Sequence, residues 1–422
     1  MKIYLIFSLA SLARVALPSV LQQPLSGELS AETDSTKTSL DRIIVSSPLL
    51  SFHRDIVRIS SISDHERNVG EFVLDFLSAH NFTVEKQIVQ SESESQDERF
   101  NIYAYIGENR HPDILLTSHI DTVPPFIPYS LHAPAGKGSK FHRADLLIAG
   151  RGTVDAKGSV AAIVFAALET LNEAPDASIG LLFDVGEENS GAGMKHFSDS
   201  DLNPSPASFH TIIFGEPTEL SLVAGHKGTF GFKVIAEGKA AHSGYPWLGK
   251  SAISSILPVL SLLDTLEDVP PEQGGLLRSD VLGNSTLNIG VVNGGVAGNV
   301  VPAHVEASVK VRLAAGNPSN TEDIVKKAVK NFTTDSGVSV VFERGSSPQL
   351  FDTDVGGFNV ITVNYGTDAA SLKIHDREDR KVRRYLYGPG SIHVAHGDDE
   401  AITVGELEEA VQGYKRLISA AL

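Results

Sequence analysis

Five separated stretches of the 422-residue chain each set a histidine or a carboxylate beside glycine or at the end of an apolar run. They are His119-Ile-Asp121, Asp155 in GRGTVDAKG, Glu187-Glu188 in GEEN, Glu216 in GEPT and His396 in AHGDDE. Imidazole and carboxylate together are the ligand set of a divalent ion such as zinc, and two ions about 3.5–4 Å apart can share one carboxylate and one water. The chain has no cysteine, which excludes disulfides, Cys-ligated zinc, iron–sulfur clusters and a thiol nucleophile. Glu187 and Glu188 are adjacent, and neighbouring side chains on an extended segment diverge, so one can ligate while the other faces water as a general base. Asp121 lies two residues after His119, on the same face of a strand, where its carboxylate can orient the imidazole. Alone, a His-x-Asp is usually a surface or capping pair and paired glutamates usually form a solvated turn. Five such segments together argue for one site. His393 competes with His396 for the last position.

In their order and spacing these motifs resemble the co-catalytic zinc peptidases that include glutamate carboxypeptidase, acetylornithine deacetylase, succinyl-diaminopimelate desuccinylase and aminoacylase. The resemblance covers about residues 45–420. It implies two Zn2+ per subunit, with Asp155 as the bridge, His119 and Glu216 completing one ion, and Glu188 and His396, which matches the position before Asp-Asp-Glu, completing the other. It implies further that His242, in GKAAHSGYP, is the lid histidine that faces the oxyanion, often supplied by the neighbouring subunit. Asn299 in GNVVPA, Arg312 in KVRL and Gly390-Ser391 in GPGS match the residues that hold the substrate's carboxylate. The planar fork of an arginine suits that task. Without the resemblance, His242 would read as a surface histidine and Arg312 as half of an ordinary ion pair. Two departures stand out. Ala156 follows the bridge where many relatives carry Met, and Thr367-Asp368 matches a family motif imperfectly. Relatives with a cysteine at the metal site, such as auxin-conjugate amidohydrolases, are disfavoured.

The elements needed to position these residues are legible in the pattern. Apolar runs at Ile114–Leu116, Ile179–Phe183 and Ile212–Phe214 have strand length and lead into SHID, DVGEEN and GEPT. In open α/β sheets a site lies beyond the carboxyl ends of the strands. The expected fold is therefore α/β, a mostly parallel-sheet catalytic domain (residues 41–225 and 345–422) with an inserted smaller α+β lid or dimerisation domain (226–344). In the insertion the order is strand, helix, strand, strand, helix, strand, the second helix being capped by Asn320 or Thr321.

Acidic residues outnumber Lys and Arg by 52 to 35, a net charge of −17. No basic stripe with interleaved aromatics offsets this, so nucleic-acid binding is not expected. Lys2, the apolar run Ile3–Ala13 and small residues at Ala16 and Ser19 read as a signal peptide over residues 1–17, followed by a loose leader or propeptide over 18–40. Sequons at Asn81, Asn284 and Asn331 fit a glycosylated secretory product. The expected protein is a secreted, extracellular zinc metallopeptidase, a carboxypeptidase acting on peptides or N-acyl amino acids beside a free C-terminal carboxylate. It would have no membrane attachment after signal removal and would form a homodimer through the lid. An N-acyl-amino-acid deacylase or an aminopeptidase on the same core is the alternative within the class. A catalytically silent peptide-binding protein is the alternative outside it.

Overall fold

The computed structural model describes residues 34–90, 98–134, 141–333 and 337–422. The expected signal peptide and residues 18–33 of the expected leader lie outside the described residues. The chain divides into two units, Met1–Ile43 and Ile44–Leu422. Of the first, residues 34–43 belong to the helix Asp34–Val45. The leader is thus helical rather than loose over its last residues. Among the described residues no helix is long and apolar enough to cross a membrane.

The second unit is built on a six-stranded sheet in the order Thr83–Val89, Arg99–Tyr105, Ile179–Asp184, Ile114–His119, Thr211–Gly215, Arg383–Tyr387. The last four strands are mutually parallel and the first two form an antiparallel edge hairpin. Strands covered by helices on both faces need continuous apolar sequence, and Ile114–His119, Ile179–Asp184 and Thr211–Gly215 are buried at every residue. Register then does the positioning. His119 pairs with Asp184 and Thr117 with Phe214, so the residues that follow these three strands emerge along one edge of the sheet. The helix Lys157–Glu173, apolar around most of its circumference, is buried against the His119 strand and the C-terminal helix Val404–Ala421.

The inserted domain is a four-stranded antiparallel sheet, ordered Thr286–Gly294, His304–Leu313, Gly228–Glu237, Val338–Ser346. Alternation divides its faces. Phe230, Phe232 and Val234 with Val305, Ala307, Val309 and Val311 pack on the helices Ala252–Asp264 and Pro318–Thr333, while Thr229, Gly231, Lys310 and Arg312 take the other face. The second of these helices starts about one turn earlier than expected. Pro318 occupies its first position, and the Asn320 amide donates to Asn317 Oδ1 while the Asn317 amide donates to Asn320 Oδ1, each at 3.0 Å. Asn317 is therefore the cap, and Thr321 is buried instead.

The two domains join where the strand Leu222–His226 runs into Gly228–Glu237, flanked by Gln349–Leu350 and Val360–Val363. His226 is buried there. Its Nδ1–H donates to the Lys227 carbonyl at 2.9 Å, so Nε2 accepts from the Thr367 hydroxyl at 3.0 Å. Burial pushes its pKa down to about 4. As pH falls from about 6.5 toward 4, the unfolded chain takes up a proton that the folded state refuses. Stability is therefore lost through that window, by roughly 3 kcal/mol for this group. Urea unfolding across pH 4–7 is expected to show a shallower acid loss in His226→Gln than in the parent. An unchanged slope would remove the junction histidine from the acid response.

Candidate metal centre and cleft

Two donor triads share one carboxylate. His119, Asp155 and Glu216 form one, and Asp155, Glu188 and His396 form the other, the donor atoms of each lying within 4.8 Å of one another. Asp155 presents Oδ1 to His119 Nε2 at 3.0 Å and Oδ2 to His396 Nε2 at 3.2 Å, and His396 Nε2 lies 3.0 Å from Glu188 Oε2. His119 ends its strand, Glu216 follows Gly215 at the end of the neighbouring strand, and Glu187 and Glu188 occupy the turn after Asp184. Asp155 comes just before the helix Lys157–Glu173, where Gly158 lets the backbone close up, since a Cβ there would sit 2.7 Å from the Thr153 carbonyl. Lys157 faces away from the triads and donates to the carbonyls of Ile56 and Ile59 at the end of the helix Pro48–Arg58. His393 is exposed and belongs to neither triad.

Asp121 does more than face the imidazole. His119 Nδ1 is 3.0 Å from the Asp121 carbonyl and 3.4 Å from its carboxylate. The carboxylate accepts from the backbone amides of Glu187 (3.1 Å) and Glu188 (3.2 Å) and from Ser63 Oγ (2.7 Å). One fully buried side chain thereby ties the ends of two adjacent strands and fixes how the two glutamates splay.

A second buried group holds two further ligands, Asp155 and His396. Arg151 and Glu400 pair at 2.7 Å, both almost completely excluded from solvent. The carboxylate of Glu400 accepts from the amides of Val154 and Asp155 at 3.0 and 3.2 Å, and Arg151 donates to the carbonyls of His396 and Gly397 at 3.3 and 3.1 Å. His396 has a left-handed backbone with φ of 64°, a conformation that costs energy for a residue with a side chain and persists where its surroundings impose it. Sequence reasoning missed this pair. The available signal was that Arg151 stands four residues before Asp155 and Glu400 four after His396, inside the same two motifs. Glu400→Gln leaves the guanidinium buried and uncompensated. Its expected cost is about 3–5 kcal/mol in denaturant unfolding, and a cost below about 1 kcal/mol would show that the pair is dispensable.

The charge balance of the pocket calls for cations. Asp155, Glu187, Glu188, Glu216 and Asp368 converge on one cleft, and Asp184 is fully buried against Asp368. Burial, reinforced by Asp368 for Glu187 and by Asp155 for Glu216, pushes the carboxyls of Glu187 and Glu216 well above the usual range. The Asp155 and Glu188 carboxylates drive His396 up to about 10. Two sets of one imidazole and two carboxylates, sharing Asp155, fit a pair of divalent ions that would balance this negative charge.

The triads floor a cleft of about 990 Å³ whose opposite wall belongs to the inserted domain. Asp155, Glu187, Glu188, Glu216 and His396 line it, as do Thr367, Asp368 and, from the inserted domain, Lys310, Arg312 and Arg344. Gly390 and Ser391 are not among the residues that line it, although the next residue, Ile392, is, and Ser391 Oγ donates to Glu219 at 2.5 Å. His242 and Asn299 are not brought in. Both are exposed at the two-stranded antiparallel ladder of Ala241–His242 and Val300–Val301, where the Ser243 amide donates to the Asn299 carbonyl at 2.9 Å. Asn81, Asn284 and Asn331 are exposed, the last on the helix Pro318–Thr333.

A sheet-edge cluster of this composition under an inserted two-layer domain defines a two-domain metallopeptidase. Residues 224–338 match the M20 family model described as the peptidase dimerisation domain. A probable carboxypeptidase of Aspergillus oryzae is 68% identical over 421 residues, spanning 99% of both chains. A probable carboxypeptidase of Neosartorya fischeri is 60% identical over 92% of this chain and 90% of its own. Among solved structures, the M20 family metallo-carboxypeptidase of Sulfolobus solfataricus shares the fold with a TM-score of 0.66 at 16% identity, covering 89% of this chain and 99% of that one. A tripeptidase of Staphylococcus aureus gives 0.68 at 19% identity, covering 88% and 97%. The chain belongs to the M20 metallopeptidase family, in the group of these fungal probable carboxypeptidases.

Proposed function

We propose that the protein is a secreted carboxypeptidase that hydrolyses the peptide or N-acyl amide bond next to a free C-terminal carboxylate. In this reading one zinc ion is held by His119, Asp155 and Glu216 and a second by Asp155, Glu188 and His396. The observation that carries it is the pair of triads sharing Asp155, with the unligated Glu187 carboxylate beside them and the Arg312 guanidinium across the cleft. Bound zinc ions would supply Lewis acidity toward the scissile carbonyl and ease the deprotonation of water. Glu187 takes the proton of the attacking water as the C–O bond forms, holds it on a carboxyl whose burial favours the protonated form, and gives it to the amine nitrogen as the C–N bond breaks. Asp121 and the Arg151–Glu400 pair keep these groups from turning away. Arg312 pairs with the substrate's terminal carboxylate through its planar fork and so sets which bond lies over the base.

The exposure of His242 outside the cleft of its own chain supports a role in a neighbouring subunit's site, with dimerisation through the inserted domain. Export is supported by the charged and apolar pattern of residues 1–17, and N-glycosylation by the exposed sequons. The reading is tested by mass spectrometry of products from matched free-carboxylate peptides, amidated peptides and N-acyl amino acids, with and without a zinc chelator. Chelator-sensitive release of C-terminal residues from the free-carboxylate peptides alone is expected. Cleavage confined to N-acyl amino acids would make the enzyme a deacylase, and no cleavage would favour a silent binding protein.

A further inference from the structure

The inserted domain's wall of the cleft carries more uncompensated positive charge than one substrate carboxylate requires. In a chain of net charge −17, this wall presents Lys310, Arg312 and Arg344. Lys310 is committed, its Nζ lying 3.7 Å from Glu343 Oε2. Among the described residues, neither Arg312 nor Arg344 has an ion-pair partner.

The local fold produces this surplus. Between Phe342 and Gly345 the strand Val338–Ser346 bulges, so Glu343 and Arg344 together stand opposite the single Gly231. A bulge re-aims side chains that regular pleating would send to opposite faces. Gly231 admits the result, because a Cβ there would fall 2.0 Å from the Glu343 carboxylate and 3.0 Å from Lys310 Nζ. Glu343 therefore lies over Gly231 toward Lys310, and Arg344, its immediate neighbour, is left facing the cleft. Arg312 pairs with Thr229, which in turn pairs with Ser346. Arg344 stands opposite Gly231, two residues along from Thr229, so the two arginines, both lining the cleft, are rooted two strands apart and about two residues offset, roughly 12 Å between their Cα atoms.

We propose that Arg344 forms a second carboxylate subsite beside Arg312, so that the enzyme prefers substrates whose C-terminal residue is itself acidic, Glu or Asp. This rests on the carboxypeptidase reading, in which Arg312 takes the α-carboxylate; Arg344 then takes the side-chain carboxylate of the same residue. Charge-assisted pairing of this kind distinguishes an acid from its isosteric amide, which matches it in size but not in charge.

The test uses the full-chain enzyme and N-blocked peptides identical except for a C-terminal Glu, Gln, Asp, Asn or Leu. The expected kcat/KM for Glu exceeds that for Gln by about tenfold, with a smaller excess at high salt. Arg344→Ala brings this ratio close to 1 and Arg344→Lys restores part of it. Lys233→Ala removes a cation paired with Glu306 from the same strand system, outside the cleft, and keeps the ratio. A parent ratio near 1, or one that persists in Arg344→Ala, overturns the subsite while release of Gln and Leu leaves the carboxypeptidase reading standing. Failure to release the C-terminal residue from any of the five peptides overturns both.

Discussion

Asp155→Ala is expected to lose metal and activity together. Asp155 is the one residue common to both triads, contacting His119 Nε2 through one oxygen and His396 Nε2 through the other. Its removal leaves His119 with Glu216 and Glu188 with His396, two protein ligands apiece, where catalytic zinc sites ordinarily have three. The two imidazoles also lose the carboxylate that separates them. Loss of the ions withdraws several kcal/mol of charge stabilisation, so activity should fall by at least about a thousandfold. Elemental analysis after gel filtration should find little bound zinc, with the chain folded by circular dichroism. Two retained zinc ions would contradict the bridging assignment.

Glu187→Gln is expected to behave in the opposite way toward metal. Glu187 belongs to neither triad, and its backbone amide is held by Asp121 independently of its side chain. The amide isostere should keep both ions and the shape of the cleft but cannot carry the proton between water and amine. Turnover should fall by about 10²–10⁴ with KM little changed. Normal turnover would remove Glu187 as the base, and zinc loss would make it a ligand.

How much of this was legible in the sequence depends on the range over which each feature is specified. The strands that deliver His119, Glu187, Glu188 and Glu216 are short apolar runs stopped by polar residues, and their existence is written locally. The alternation in Thr229–Ala236 and His304–Leu313 likewise revealed the inserted sheet. What could not be read is register and contact between distant segments. Asp121 looked like a partner of His119 alone because its hydrogen bonds to the Glu187 and Glu188 amides exist only once two strands align. The Arg151–Glu400 pair joins positions 249 residues apart, and neither side chain betrays its burial by type. The cap at Asn317 was overlooked because its reciprocal bonding with Asn320 competes with several equally polar neighbours in GNPSNTED. Arg344 faces the cleft through a bulge, which no periodicity announces.

The central claim is that two ions shared through Asp155 make the site work. Its most direct measurement is titration of chelator-stripped enzyme with Zn2+, following bound metal by elemental analysis and release of a C-terminal residue in the same samples. The account predicts negligible activity without metal and full activity as bound zinc reaches two per chain. Undiminished hydrolysis by the stripped enzyme, or saturation with no zinc bound at the triads, would contradict it.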